Sequence, residues 1–178
     1  MTPEMVVNFW EAAGPSRWFT RDAAFDGALA VRFGEALAQA RAGAFDHWGE
    51  TAEGALGLVI LLDQVSRNVH RGSPLAFAAD AKALALARTW IGMGYHQKLA
   101  APRAIWLLMP FEHAEDLEAQ QRCVALFRTM GLSEMAHWAQ VHLDIIARFG
   151  RFPHRNAVLG RASTPAEIAF LKAGGFAG

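Results

Sequence analysis

The sequence predicts an all-helical protein, on the evidence of its residue composition and of the residues that begin its apolar segments. Alanine occurs 35 times, whereas valine, isoleucine and threonine together occur 21 times and tyrosine once. Alanine favours helices and the other four favour strands, and no window shows the two-residue alternation of a strand. Three segments open with a capping residue and a proline, at Thr2-Pro3, Ser73-Pro74 and Thr164-Pro165, a pattern typical of helix starts. We predict antiparallel helix pairs in a tetratricopeptide-like superhelix or bundle.

Eight helices are predicted in chain order, joined by short connections. Apolar residues at helical spacing form one stripe from Phe25 to Ala40, which predicts that this helix lies on a core. Pro110 lacks a backbone donor and clashes with the preceding turn, so a kink or break is expected there. Thr164 and Glu167 have the spacing of a capping box. The predicted helices are Pro3 to Ala12, Asp22 to Ala42, Ala52 to Asn68, Pro74 to Met93, Pro102 to Met109, Glu112 to Met130, Glu134 to Phe149 and Pro165 to Lys172.

Length and charge narrow the class of protein further. A chain of 178 residues without a glycine- or serine-rich linker fits a single domain, residues 1–178. The 17 basic and 17 acidic side chains cancel, which argues against a nucleic-acid partner because such domains are normally basic. Cys123, the one cysteine, lies in an apolar helical stretch and is expected to be an inert core thiol.

The chain is predicted to be cytoplasmic, with no membrane partner. Met1 to Trp10 contains Glu4 and no lysine or arginine, unlike the start of a secretory signal. The longest apolar run, Ala55 to Leu62, has eight residues, whereas a membrane helix needs about 20. It is therefore expected to be a buried helix segment.

A first polar segment ends the most apolar predicted helix. Asp63 and Arg67 are four residues apart, as are Gln64 and Asn68, so each pair shares one side of the helix. Asp63 is predicted to orient the Arg67 guanidinium. The alternative is a surface ion pair, with Arg67 and Arg71 complementing the helix C-terminal dipole.

A second polar segment follows Pro110 and combines four carboxylates with a histidine. His113, Asp116 and Gln120 have a three-then-four spacing on one helix face, and a carboxylate beside an imidazole suits general acid–base catalysis. His113, Glu115 and Asp116 are therefore candidate catalytic residues, with helix capping and structural hydrogen bonding as the alternative. No cofactor is expected. A metal is not expected either, because His113 and Glu115 would lie about 200° apart around a helix and could meet one ion only if the helix started after His113.

A third polar segment, Arg148 to Arg161, contains four arginines and no acid. Such a run in a neutral chain indicates an anion site or a basic loop. Arg148 is predicted to pair with Asp144 four residues earlier. The others must find acids elsewhere in the fold, such as those of Glu112 to Glu118, or a ligand. The candidate ligand-binding residues are Asp63, Arg67, Asn68, Arg71, Arg148, Arg151, His154, Arg155 and Asn156.

These segments together resemble the bacterial domain-of-unknown-function family nine-two-four, over about Asn8 to Leu171. The most specific match is Arg-Phe-Gly-Arg-Phe-Pro-His-Arg-Asn, starting at Arg148. Ala114 and Ser66 depart from the serine and proline expected there, so a hydroxyl at position 114 is not essential. The other matches are Asn8-Phe9-Trp10, Trp18-Phe19, Phe25-Asp26, Leu61 to Gln64 with Arg67-Asn68, Ala76 to Asp80 and His113 to Asp116.

The resemblance implies an all-helical, tetratricopeptide-like fold and leaves the function open, since the family has no established activity. It also implies that the matching polar positions converge on one site: Asp63, Arg67, Asn68, His113, Glu115, Asp116, Arg148, Arg151, His154, Arg155 and Asn156.

Three hypotheses for the function follow. In the first, a pocket holds a small anionic molecule, a carboxylate or a phosphate, with arginines gripping it and His113 moving a proton. In the second, a concave helical surface binds an acidic peptide or partner protein. In the third, the polar motifs form a purely structural ion-pair network. A cavity with unpaired arginines favours the first, a long groove the second, and arginines saturated by acids the third.

Overall fold

Helices and turns make up the computed structural model, which describes residues 1–18 and 20–176 and contains no strand within them. The prediction of an all-helical class is confirmed. Phe19, one of the residues in the family resemblance, lies outside the described residues. The α-helices are α1 (Pro3–Ala13), α2 (Pro15–Trp18), α3 (Ala23–Arg41), α4 (Ala52–Val59), α5 (Ser66–Val69), α6 (Asp80–Gly92), α7 (Tyr95–Lys98), α8 (Ala101–Glu112), α9 (Leu117–Thr129), α10 (Ser133–Phe149) and α11 (Pro165–Lys172).

One π-helical stretch, Ile60–Val65, joins α4 to α5. The helix predicted from Ala52 to Asn68 is therefore continuous, but its geometry changes from α to π and back to α. A π-turn is wider than an α-turn, is rare in proteins and is frequently found at functional sites. Every residue of the stretch is buried, including Asp63 and Gln64. The predicted buried segment Ala55 to Leu62 is confirmed, since each of its residues is buried.

The chain divides by its internal contacts into two compact units. The first unit comprises Met1–Arg71 and Leu75–Pro110, without Phe19, and the second comprises Gly72–Pro74 and residues 111–176. The single domain over residues 1–178 stays a prediction. The predicted polar residues fall in both units: Asp63, Arg67, Asn68 and Arg71 in the first, and His113 to Asn156 in the second.

In the first unit, α1 packs against α4 and α3 packs against the π-helical stretch. The close approach of α1 and α4 depends on Gly57, because a Cβ there would lie 2.6 Å from the Cβ of Pro3. Trp10 is fully buried and meets Trp106 edge-on, with ring centroids 5.3 Å apart. The predicted apolar stripe of α3, Phe25 to Ala40, is buried as expected.

In the second unit, α9 and α10 form an extensively packed pair. Asp116 caps α9 by accepting a hydrogen bond from the Ala119 N–H at 2.8 Å. The capping box predicted for Thr164 and Glu167 is present at the start of α11, whose bounds match the prediction. Ile145, Ile146 and Phe152 form a buried cluster, against which Val141, Phe149, Phe170 and Phe176 pack.

Two predictions about the middle of the chain are wrong. Of the kink or break expected at Pro110, the break is absent: helix α8 continues to Glu112, because the missing Pro110 N–H removes one hydrogen bond and leaves the others of the helix in place. The following helix starts at Leu117 instead of Glu112. His113 and Asp116 therefore lie in the turn between helices, and their predicted placement with Gln120 on one helix face is wrong.

No helix in the described part of the chain combines the length and the apolar composition that crossing a membrane requires.

Candidate functional site

The first polar segment is a buried network at the π-helical stretch. Asp63 is 1% exposed, and its Oδ1 lies 3.3 Å from Nη2 of Arg67. The same Nη2 is 3.0 Å from Oδ2 of Asp80, and Gln64 donates to Oδ2 of Asp63 at 2.7 Å. Burial alone would lower the pKa of Arg67, but the charges of Asp63 and Asp80 outweigh it and raise that pKa. The prediction that Asp63 orients Arg67 is confirmed, and the alternative of a surface pair is wrong.

Asn68 and Arg71 continue this segment in different environments. Asn68 is 6% exposed, and its Nδ2 has no hydrogen-bond partner among the residues described. Arg71 donates from Nε and Nη2 to the two carboxylate oxygens of Asp26, at 2.7 and 3.1 Å. Both predicted ligand-binding arginines of the first unit are thus bonded to carboxylates.

The turn from His113 to Asp116 and the segment Arg148 to Arg161 lie together, as the complementary charges of the second and third polar segments suggest. Glu115 accepts the Phe152 N–H at 2.8 Å and both Nη atoms of Arg161, at 2.6 and 2.8 Å. Burial opposes the ionisation of Glu115, but the hydrogen bonds from Arg161 and Phe152 outweigh it and lower its pKa. Arg161 also donates to Oδ1 of Asn156 at 3.0 Å, so Asn156 belongs to the same network.

Arg151 is bonded to the acid of the capping box. Its Nε and Nη2 donate to the two oxygens of Glu167, at 2.6 and 2.9 Å, and Glu167 is 2% exposed. Hydrogen bonds from Arg151 and from the Thr164 N–H lower the pKa of Glu167 to about 2. The Arg151 guanidinium is therefore held by α11.

Arg155 and His154 face the apolar interior of the second unit. Arg155 is 6% exposed, donates to the His113 carbonyl at 3.0 Å and lies 4.3 Å from the centre of the Phe152 ring. The His154 ring packs 5.6 Å from Phe152 and 5.4 Å from Phe176. The role of His113, Glu115 and Asp116 in catalysis stays a prediction, although Glu115 and Asp116 already hold Arg161 and the start of α9.

Arg148 is the exception among the candidate arginines. The pair predicted with Asp144 is wrong: Asp144 accepts instead from Nε2 of Gln140 at 2.8 Å. No carboxylate pairs with Arg148 in the described part of the chain, and its guanidinium lies 4.7 Å from the Phe149 ring centre and 5.7 Å from that of Phe170. The end of α10 thus places a positive charge against aromatic rings, and no described carboxylate neutralises it.

A pocket of about 240 Å³ opens beside Arg148. Its lining combines two charged side chains with apolar and aromatic ones, namely Val141, Asp144, Ile145, Arg148, Phe149, Phe170 and Phe176. Gln140, Phe170 and Phe176 were not among the residues predicted from the sequence. Phe170 had a usable signal, since it follows the capping residue Glu167 by one helical turn, but nothing in the local pattern marked Phe176.

Cys123 is fully buried, as predicted, and burial together with the Glu112 carboxylate raises its pKa well above the ordinary thiol value. A thiol in that state is a poor nucleophile and metal ligand. Over residues 1–18 and 20–176, no three histidine, cysteine, aspartate or glutamate side chains are grouped closely enough to hold a metal ion.

Comparisons with known proteins agree with the fold but supply no activity. The family model described as "Bacterial protein of unknown function (DUF924)" matches residues 6–175. A solved structure of a protein of unknown function from Agrobacterium tumefaciens is 42% identical and has a TM-score of 0.92. The match covers 96% of this chain and 97% of that one. Nothing among the curated proteins matches.

Proposed function

The chain belongs to the bacterial DUF924 family, and we propose that it binds a small organic anion at the pocket of its second unit, through Arg148. The observation that carries the proposal is the state of this guanidinium. It lines a pocket and stacks on aromatic rings, yet has no carboxylate partner among the residues described. A guanidinium that rests on two aromatic rings and has no carboxylate partner among the described residues is available to bind the carboxylate of a ligand.

The other candidate arginines support this choice by contrast. Arg67, Arg71 and Arg151 are each bonded to a carboxylate, at 3.0, 2.7 and 2.6 Å. An external anion would have to displace that carboxylate and leave it without its partner, which costs free energy. Arg148 offers its charge without such a loss.

The lining of the pocket indicates what the anion carries. Phe149, Phe170 and Phe176 supply an aromatic surface, and a cavity of about 150 Å³ is already enough for a benzene ring. The 240 Å³ of this pocket therefore suit a ligand with a carboxylate and a phenyl-sized apolar group.

The proposal is one of binding and includes no catalytic step. Glu115 is bonded to Arg161 and to the Phe152 N–H, and Asp116 caps α9. Carboxylates with these hydrogen bonds serve the fold, since each satisfies a donor that would otherwise lack a partner.

The test uses 3-phenylpropionate as the probe, titrated by ligand-observed NMR into the wild type and into Arg148→Gln. The variant is expected to bind about fivefold more weakly, the range for an exposed ion pair. Arg122→Gln is the matched control, because Arg122 also lies over a phenylalanine, 5.8 Å from the Phe111 ring centre, but does not line the pocket. Its affinity should equal that of the wild type.

Two results would contradict the proposal. One is the absence of saturable binding to the wild type, and the other is equal affinity in wild type and Arg148→Gln. Urea unfolding of both variants should give free energies within about 0.5 kcal/mol of the wild type, as for surface changes in general, so that a lost affinity is not a lost fold.

A further inference from the structure

We infer that the ligand of the Arg148 pocket is a zwitterion, an aromatic or large apolar α-amino acid, with its carboxylate on Arg148 and its ammonium group on Asp144. The inference rests on the proposed function, since it names the class of ligand for the same pocket. It depends on one further observation: the pocket presents two opposite charges that are not paired with each other.

Asp144 and Arg148 lie one turn apart on α10 and both line the pocket. They make no ion pair, and Asp144 has no cationic partner among the described residues; its Oδ1 accepts only the Gln140 amide, at 2.8 Å. Asp144 and Arg148 are exposed and form the rim of the pocket. Phe149, Phe170 and Phe176 are half-buried and form its aromatic floor.

Gln140 fixes the position of the Asp144 carboxylate. Its Oε1 accepts from Nη2 of Arg128 at 3.0 Å, while its Nε2 donates to Asp144. A guanidinium can only donate and a carboxylate can only accept, so the amide has one orientation that satisfies both. Asp144 is thereby bonded to the residue one turn before it on α10 and not to Arg148, one turn after it.

A simple anion matches only half of this arrangement. A carboxylate on Arg148 would gain one attraction and meet the like charge of Asp144 nearby, which weakens binding. In an α-amino acid the ammonium and carboxylate are attached to the same carbon, so one ligand presents both charges to the rim at once. Its side chain then lies against Phe149, Phe170 and Phe176, where burial of apolar surface adds to the affinity.

The alternative of a ligand held by charge alone, such as inorganic phosphate, fits the pocket less well. The aromatic floor offers phosphate no hydrogen-bond donor, and Asp144 repels it. A peptide also fits less well, because only a free amino acid has an ammonium and a carboxylate on one carbon.

The experiment compares three probes that share a phenyl group: L-phenylalanine, 3-phenylpropionate and phenethylamine. Each is titrated into the wild type, Asp144→Asn and Arg148→Gln, with Glu134→Gln as the control for removing an exposed carboxylate of α10 that does not line the pocket. We expect L-phenylalanine to bind the wild type at least fivefold more tightly than either singly charged probe, the factor for one exposed ion pair.

The decisive result is whether Asp144→Asn raises or lowers the affinity for each probe. This variant should bind L-phenylalanine about fivefold more weakly but 3-phenylpropionate more tightly than the wild type, because the same carboxylate attracts one ligand and repels the other. Glu134→Gln should change neither affinity.

The results distinguish failure of the zwitterion site from failure of the anion site at Arg148. If 3-phenylpropionate binds through Arg148 but L-phenylalanine binds no more tightly, or if Asp144→Asn weakens neither, the zwitterion is excluded and the anion site remains. Binding of phosphate in preference to all three probes would also overturn the inference. If Arg148→Gln changes no affinity, the proposed function fails as well.

Discussion

The loop that follows α10 and the last two turns of α10 itself both carry arginines, but the structure uses them differently. In the loop, Arg151 and Arg161 each make a two-pronged bond to a glutamate, and Arg155 donates to a backbone carbonyl. On the helix, Arg148 lies over two aromatic rings and pairs with no carboxylate among the residues that the structure describes. The comparison teaches that a local excess of arginine does not locate an anion site. What matters is whether acids distant in sequence have already neutralised the charge.

The difference follows from where the acids are. Glu115 and Glu167 belong to turns and helix starts that face the loop, and each also accepts a backbone N–H, from Phe152 and Thr164 respectively. The loop arginines and these acids therefore stabilise backbone turns together. Arg148 projects from the exposed side of α10, where the acid on the preceding turn, Asp144, is engaged by Gln140.

If the burial of an ion pair decides how much it stabilises the fold, the largest loss in the free energy of unfolding is expected for the buried pair of the first unit. Asp63→Asn removes one of the two carboxylate charges beside the 18%-exposed Arg67 side chain and leaves that of Asp80. We expect the free energy of unfolding to fall by about 3 kcal/mol, as for a buried pair that loses one member. Urea unfolding measures it. Asp26→Asn is the control, because its partner Arg71 is 38% exposed, and a loss of under about 1 kcal/mol is expected there. Equal losses in the two variants would remove burial as the deciding factor.

A smaller loss in the free energy of unfolding is expected when the ion pair between Glu115 and the loop after α10 is weakened. Glu115 is 24% exposed, and Glu115→Gln takes the charge from its bonds to Arg161 and Phe152. We expect a loss of about 2 kcal/mol in urea, between the values for surface and buried pairs. Arg148→Gln, measured alongside, should lose no more than about 0.5 kcal/mol. The contrast between loop and helix would be wrong if the Arg148 variant were the less stable of the two.

The smallest change in the free energy of unfolding near neutral pH is expected from the titration of Glu167, because Glu167 takes up a proton only at acidic pH. The pKa of Glu167 is lowered from 4.5 to about 2 in the folded protein, so the unfolded chain takes up a proton there first. Its contribution to stability is complete above about pH 4.5 and disappears as the pH falls towards about 2. Urea unfolding at pH 6, 4 and 3 should show a steeper decline for wild type than for Glu167→Gln. Exposed Glu35 provides the control variant Glu35→Gln, and parallel declines in wild type and Glu167→Gln would refute the assignment.

Much of the fold was predictable from local signals. The capping box at Thr164 and Glu167 and the apolar stripe of α3 depend on residues within a few turns of each other, and both are present. The meeting of the His113 turn with the Arg148 to Arg161 segment was also predictable, because each carried charge that its own residues did not balance.

The other features of the site could not be predicted from the spacing of residues along the sequence. His113 and Asp116 would share a helix face only if one helix covered both, whereas α8 runs through Pro110 and ends at Glu112. Asp144 and Arg148 have the i, i+4 spacing of an ion pair, but Gln140, one turn before Asp144, is its hydrogen-bond partner instead. The floor of the pocket includes Phe170 and Phe176, which are more than 20 residues from Arg148 in sequence. Their approach is a property of tertiary packing.

The π-helical stretch has an evolutionary consequence. A wide turn of this kind is what a single-residue insertion produces in a regular helix, and each residue of helix rotates the side chains that follow by roughly 100°. Ile60–Val65 lies directly before the residues that bond to Asp80 and Asp26. Because the wide turn absorbs one extra residue, loss of one codon in this stretch would return it to a regular α-helix and leave Arg67 and Arg71 facing the two aspartates, so this segment tolerates a change of length that a regular helix there would not.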